Sequence, residues 1–344
     1  MKLSIITTIY KAERDLPRLL DSMMAQKSLE LEFFLIDNGS PDRCGEICAE
    51  YARKDSRFVV CALAENIGYI GARNLGIESC TGDYIGFCDS DDYLTPGAYD
   101  RAIDIIRSTG CDLYITSYNT QNKNQSRICD MPFQVGAYGA NRIKTDILPS
   151  AFGWLKNRGV LSGFMWKQVF RREIIVANNI RFDERLKPFE DQVFNIDVIP
   201  NCDLIYIDNN VIYNYVVSTT SITGQICTSI DYMASWKRIE LLYLEKCKRA
   251  HEKECIVASA NTALVMVYSL VLQIATTSNK SPFYCARIFR EIVNMEVLKN
   301  IVNTSDSHLS LPMSFVRNAL RFGLFGLLFW VIAGWGKLRT KAVK

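Results

Sequence analysis

Histidine is nearly missing from this chain: among 344 residues only His251 and His308 occur. That scarcity argues against histidine-based acid–base catalysis and against His-rich metal centres. No C-x-x-C pair occurs either, although there are 12 cysteines, and Cys61, Cys80, Cys88, Cys111 and Cys202 stand singly in apolar segments. Cys44 and Cys48 lie one helical turn apart, without the second pair that a zinc site needs. Reduced, mostly buried thiols in a cytosolic protein are the simplest reading. Neither sign of charge dominates, with 40 basic against 37 acidic side chains, which speaks against nucleic acid as a partner. Met1-Lys2 leads directly into a brief apolar run, too short for a signal peptide. Internal repeats and low-complexity stretches are absent as well.

What is present is a chain long and apolar enough, at 49% hydrophobic residues, for one large core or for two domains sharing a cleft. Leu3 to Tyr10 reads as a buried, β-branched strand, and Leu16, Leu19, Leu20, Met23 and Met24 then recur at helical spacing. A second strand, Phe33 to Ile36, runs into the polar turn Asp37-Asn38-Gly39-Ser40-Pro41-Asp42, where Ser40 or Asp42 can cap a helix. A third strand is expected at Phe58 to Leu63. Gly68 and Gly71 then permit close backbone approach ahead of a helix carrying Arg73. Strands alternating with helices to about residue 118 predict an α/β fold with a mostly parallel sheet. Residues 119–145 read as loops or a short hairpin. Leu204 to Ile207 and Val211 to Tyr215 read as a strand pair around Asp208-Asn209-Asn210, and residues 229–302 as helical.

The most informative stretch is Asp83-Tyr84-Ile85-Gly86-Phe87-Cys88-Asp89-Ser90-Asp91-Asp92. An apolar strand ends there in three carboxylates within four residues, which repel one another unless water, a cation or bases relieve them. Alone, such a turn is an ordinary solvated loop. Parallel sheets, however, bind ligands at the carboxyl ends of their strands, and Tyr10, Asp37-Asn38 and Asp89-Ser90-Asp91 all take that position.

With those residues in order, the chain over roughly residues 1–225 resembles the family 2 inverting glycosyltransferases of GT-A (Rossmann-like) fold. The resemblance rests on Ser4 to Tyr10, Asp37-Asn38-Gly39-Ser40, Asn66-Ile67-Gly68 with Ala72-Arg73-Asn74, Asp89-Ser90-Asp91-Asp92, Trp166-Lys167, Glu190-Asp191, and Tyr213-x-Tyr215 with Ser221-Ile222-Thr223. It implies transfer of a sugar from a nucleotide-diphosphate-sugar, a UDP-sugar first among them, to a hydroxyl of a glycan or polyprenyl-linked acceptor in cell-surface polysaccharide biosynthesis. Mn²⁺ or Mg²⁺ would neutralise the departing diphosphate. By the family pattern, Thr8, Tyr10, Asp37, Asn38, Arg73, Asp89 and Ser90 line the donor, and Asp91 meets the metal. Asp92 and Trp166 fall on the acceptor side, Asp191 is the catalytic base, and Glu190 orients the acceptor. Asn38 departs from the aspartate common in uracil readers; its carbonyl can still accept from a base N–H but without charge assistance, so thymidine or another base stays open. A non-catalytic nucleotide-sugar-binding or scaffold subunit is the alternative.

The expected organisation is a nucleotide-sugar-binding half at 1–118, an acceptor and catalytic-base half at 119–225, a helical extension at 226–305 and a membrane-associating segment at 306–344. In the last, Phe322 to Trp335 carries no charge and is flanked by Arg317, Arg321, Lys337, Arg339, Lys341 and Lys344. As a helix it spans about 21 Å, short of a hydrocarbon layer of about 30 Å. A segment lying in the interface of an anionic membrane is expected, placing the protein peripherally on the inner face.

Overall fold

The computed structural model describes residues 1–122, 125–153, 160–186, 190–217, 254–258, 260–261, 314 and 317–318. Nearly all of the expected helical extension and membrane segment lies outside the described residues. Two units divide the chain. One comprises Met1–Ile147, Ser162–Glu184 and Phe189–Ser218; the other comprises Leu148–Leu161, Arg185–Pro188 and Thr219–Lys344.

The first unit opens with β1 (Leu3–Ile9), α1 (Leu16–Met24), β2 (Leu31–Asp37), α2 (Cys44–Lys54), β3 (Phe58–Ala62), α3 (Tyr69–Ser79) and β4 (Tyr84–Asp89). It continues with β5 (Tyr93–Leu94), α4 (Asp100–Thr109), β6 (Leu113–Gln121), the β7 (Ser126–Cys129) arm of a hairpin, β8 (Gly136–Gly139) and the short α5 (Ala140–Arg142). After α6 (Leu148–Phe152), which belongs to the second unit, come β9 (Gln168–Arg171), α7 (Arg172–Ala177), α8 (Glu190–Val198) and β10 (Leu204–Val216).

The sheet runs β3-β2-β1-β4-β9-β6-β10-β5, with β7 on β6 and β8 on β10. Its first four strands are mutually parallel, as the strand–helix alternation predicts. Past β4 the character changes, because β9 enters antiparallel between β4 and β6, while β10 returns parallel to β6. β1 and β2 are covered on both faces, so Leu3, Ile5, Ile9, Phe33, Leu35 and Ile36 are all buried. Each such side chain contributes about 1.5–3 kcal/mol of apolar burial.

The expected strand pair around Asp208-Asn209-Asn210 is instead one strand, β10. The polar triplet makes no hairpin because Asp208 is fully buried, paired with Arg101 at 2.6 Å and accepting from the Tyr114 hydroxyl at 2.7 Å. The extra residues are absorbed as register shifts against β6 between Ile207 and Asn214. In the second unit, α6 is wholly buried, and the Leu161 N–H donates to the Ser150 carbonyl at 3.0 Å.

Candidate active site

Strand register assembles the site. Ile9 lies opposite Asp37 across the β1–β2 ladder, and Thr8 lies opposite Asp89 across β1–β4, so Tyr10, Asp37, Asn38 and the acidic turn share the carboxyl edge of the sheet. Tyr10 is 42% exposed there, with the Lys11 ammonium 5.1 Å from its ring centroid; Thr8 and Ser90 are half-buried.

Asp37 and Asn38 organise loops. The Asp37 carboxylate accepts from the Ser40 N–H at 3.1 Å and turns the chain. Asn38 is buried; its Oδ1 accepts from the Ile67 N–H at 3.0 Å, and its Nδ2 donates to Asn66 Oδ1 at 3.4 Å. The carbonyl expected to meet a base is therefore already holding the loop that leads into α3, where Gly68 takes φ +81°. That is a sufficient structural reason for an amide at this position.

Arg73, expected to face a donor's diphosphate, is buried and turned to carboxylates. Its guanidinium donates to Asp191 at 2.7 Å, Asp89 at 3.1 Å and Glu190 at 3.3 Å. Tyr69 and Phe182 sit over it at 5.3 and 5.6 Å, and a reciprocal pair between Asn74 and the Phe182 backbone (3.0 and 2.9 Å) ties that segment to α3. Residues far apart in sequence thus meet on one cation: the end of β4 and the first turn of α8. A helix N-terminus favours the two acids there. Three carboxylates nonetheless exceed one guanidinium. Burial pushes the Asp191 carboxyl up to about 8; Arg73 opposes the shift, while Glu190 and Asp89 add to it.

The remaining acids differ in role. Asp92, expected on the acceptor side, is 1% exposed and committed inward: the Tyr213 hydroxyl donates to it at 2.6 Å and the Val216 N–H at 2.7 Å. The same hydroxyl accepts from the Asp89 N–H at 3.1 Å. Burial, with Asp89 nearby, raises Asp92 to about 8. Asp91 is raised too, by burial and then by Asp89, and among the described residues no side chain donates to its carboxylate. Arg18 instead donates to its backbone carbonyl, at 2.5 Å.

No group of three or more His, Cys, Asp or Glu side chains is arranged to hold a metal ion among the described residues. Asp91 offers a single hard-oxygen ligand, which suits a divalent cation only where a diphosphate completes the shell.

Trp166, expected to offer a ring to a sugar, is 4% exposed. Its ring lies parallel to those of Tyr213 at 4.4 Å, Phe164 at 4.9 Å and Tyr215 at 5.7 Å, so it is occupied in supporting Tyr213. Sequence motifs do not mark Phe182 or Asn195 as site residues; Tyr213 stands out only as half of a Tyr-x-Tyr pair, and Asn195 carries no signal beyond standing four residues after Asp191.

Comparison with known proteins places the chain among glycosyltransferases. Residues 4–144 match Glycosyl transferase family 2. The chain is 30% identical over 222 residues to the uncharacterized glycosyltransferase EpsJ of Bacillus subtilis, covering 64% of this chain and 62% of the relative. It is 30% identical over 196 residues to the putative glycosyltransferase EpsH of the same organism, covering 56% and 54%. The chain therefore spans less than two thirds of either relative. Among solved structures, S. aureus TarS 1–349 in complex with UDP-GlcNAc superposes with a TM-score of 0.71 at 18% identity, over 98% of this chain and 92% of that one. The mannosyltransferase PcManGT from Pyrobaculum calidifontis, in complex with GDP-Man and Mn²⁺, gives 0.52 at 12% identity over 98% and 88%. These likenesses show the fold.

Proposed function

Because residues 4–144 belong to glycosyl transferase family 2 and the chain has the GT-A fold, we propose that it is an inverting glycosyltransferase using a nucleotide-diphosphate-sugar donor. The observation that carries this is Arg73, whose buried guanidinium joins Asp89 on the donor strand to Asp191 on α8. A binding subunit needs no second acid held beside the first.

In this reading Asp89 and the Thr8, Tyr10 and Ser90 edge receive the nucleotide, and a UDP-sugar is the first donor to try, by analogy with the TarS complex. Asp91 would hold Mn²⁺ or Mg²⁺, which when bound supplies charge neutralisation to the leaving diphosphate. Asp191 takes the proton from the acceptor hydroxyl as its oxygen attacks the anomeric carbon and the carbon–oxygen bond to the diphosphate breaks. Arg73 orients that carboxylate, and Glu190 shares the guanidinium. Asp92 and Trp166, expected on the acceptor side, act by holding Tyr213 in place beside Asp89. The acceptor is a glycan or polyprenyl-linked hydroxyl of a cell-surface polysaccharide. The apolar segment Phe322 to Trp335, with its basic flanks, keeps the enzyme on the inner membrane face. Among the described residues no helix is long and apolar enough to cross a membrane.

Asp191→Asn tests the assignment. Turnover should fall at least ~100-fold, the range of general-base catalysis, while a nucleotide-sugar still raises the melting temperature with or without Mn²⁺. Wild-type-like turnover in the variant refutes the base; failure of every nucleotide-sugar to stabilise the wild-type chain refutes the donor site.

A further inference from the structure

Beside the buried Trp166, one aromatic ring does reach solvent. Phe164 is 41% exposed although its ring is parallel to Trp166 at 4.9 Å and edge-on to Tyr118 at 5.9 Å. A large apolar ring left open at a site of charged groups loses burial that an inward rotamer would gain. The way it is held shows that the exposure is built in.

Each residue of Ser162-Gly163-Phe164 is gripped by a different buried polar side chain. Lys167 Nζ donates to Ser162 Oγ at 2.7 Å, Asn195 Nδ2 to the Gly163 carbonyl at 3.0 Å, and Gln168 Nε2 to the Phe164 carbonyl at 3.1 Å. Lys167, Gln168 and Asn195 are 2%, 1% and 0% exposed. Burying three such donors is costly unless each has a partner, and their shared object is this loop, although the Gln168 and Asn195 amide oxygens are buried with no hydrogen-bond partner. Lys167 has no carboxylate paired to it among the described residues, and burial brings its ammonium down to about 7. Gly163 closes the arrangement: a Cβ there would lie 2.8 Å from the Gln192 backbone, so only glycine lets the loop touch α8.

That contact locates the ring relative to the chemistry. Gly163 precedes Phe164, and Gln192 follows Asp191. Backbone spacing then places the Cα atoms of Phe164 and Asp191 within about 12 Å of each other. Asn195 also bridges the two segments, donating to the Asp191 carbonyl at 2.9 Å as well as to Gly163. On the other side, Trp166 stacks on Tyr213, whose hydroxyl meets Asp89 and Asp92.

We propose that Phe164 is the acceptor platform: its exposed ring receives the apolar C–H face of a hexopyranose and presents a hydroxyl of that sugar to Asp191. This rests on the glycosyltransferase reading and narrows its acceptor to a saccharide with a flat C–H face, as against a bare polyprenyl-linked hydroxyl. The ring supplies area with little loss of side-chain freedom, since its loop is already braced.

Two measurements on the full chain test the platform, one of them independent of turnover. Saturation-transfer NMR with methyl glucopyranoside and methyl N-acetylglucosaminide should show ring-proton contacts in the wild type, lost in Phe164→Ala and restored in Phe164→Tyr. With a donor that the wild type turns over, Phe164→Ala should raise the acceptor KM about 10-fold more than the donor KM, in the range of one aromatic contact. Saturation transfer that is missing in the wild type, or unchanged in Phe164→Ala, overturns the platform. So does an equal rise in both KM values. Saccharide contacts that depend on Phe164 in a chain that turns over no donor would uphold the platform while refuting the enzyme reading.

Discussion

Arg73 answers for three carboxylates at once, and its geometry sets the pH response of the site. An acid raised to about 8 is protonated below that pH and cannot accept the acceptor's proton. The donor kcat/KM, which reports the free enzyme, should therefore fall as pH drops below about 8 and level off above it. Arg73 is the one group opposing the shift through both charge and hydrogen bonding. A lysine in its place is a single ammonium that cannot fork to Asp89, Glu190 and Asp191 together. Arg73→Lys should move the acid limb to higher pH and lower turnover at pH 7 about 10-fold, equivalent to one pKa unit. A profile flat from pH 6 to 9 in the wild type, or unmoved in the variant, would show that another group takes the proton. At this scale the sequence named Arg73, Asp89, Glu190 and Asp191 as separate motifs. That they meet on one guanidinium was not legible, because it depends on where α8 returns to the sheet.

Elements were legible where packing is periodic, and illegible where a polar side chain finds a tertiary partner. The first strands and helices follow from apolar runs and turn residues, and register alone brings Thr8 opposite Asp89. Asp208-Asn209-Asn210 reads as a turn by composition, yet Arg101 and Tyr114 satisfy Asp208 inside a continuous strand. Lys167 enters the sequence reading only as part of the Trp166-Lys167 motif, and its partner Ser162 gives no signal of its own. The seat of α3 is equally tertiary. Gly76 faces β1 so closely that an added Cβ would stand 2.5 Å from Ile6 Cγ2 and 3.1 Å from Ile36 Cδ1. Gly76→Ala gains ~1 kcal/mol of helix propensity and still has to push the helix off the sheet, an overpacking cost of ~1–3 kcal/mol or more. Chemical denaturation should show net destabilisation, with turnover reduced because Arg73 rides on the same helix. A variant as stable as the wild type would mean that α3 is not held at this contact.

Across the whole molecule the two ends of the sheet treat carboxylates oppositely. At the amino ends of the parallel strands, burial would push Glu32 up, yet donors from Lys2, Ser4 and Thr81 outweigh it and bring the group down to about 2. At the carboxyl ends and on the first turn of α8, Asp91, Asp92 and Asp191 are all raised, first by burial and then by neighbouring carboxylates. A cation or basic surface is complementary to that end, while the chain's own surplus of basic residues stands at its far terminus. Lys337, Arg339, Lys341 and Lys344 follow an uncharged run containing Trp330 and Trp335, all outside the described residues. Tryptophans with basic neighbours suit a headgroup boundary, and each Lys or Arg near an anionic leaflet contributes ~1 kcal/mol. The full chain should therefore sediment with phosphatidylcholine vesicles containing phosphatidylglycerol and not with phosphatidylcholine alone, and high salt should release it. Replacing the four basic residues by serine removes roughly 4 kcal/mol of attraction by that measure, enough to weaken anionic-vesicle binding at least ~100-fold. Equal binding to neutral and anionic vesicles, or undiminished binding of the serine variant, would remove the electrostatic half of the attachment; no sedimentation of the wild-type chain would remove it altogether.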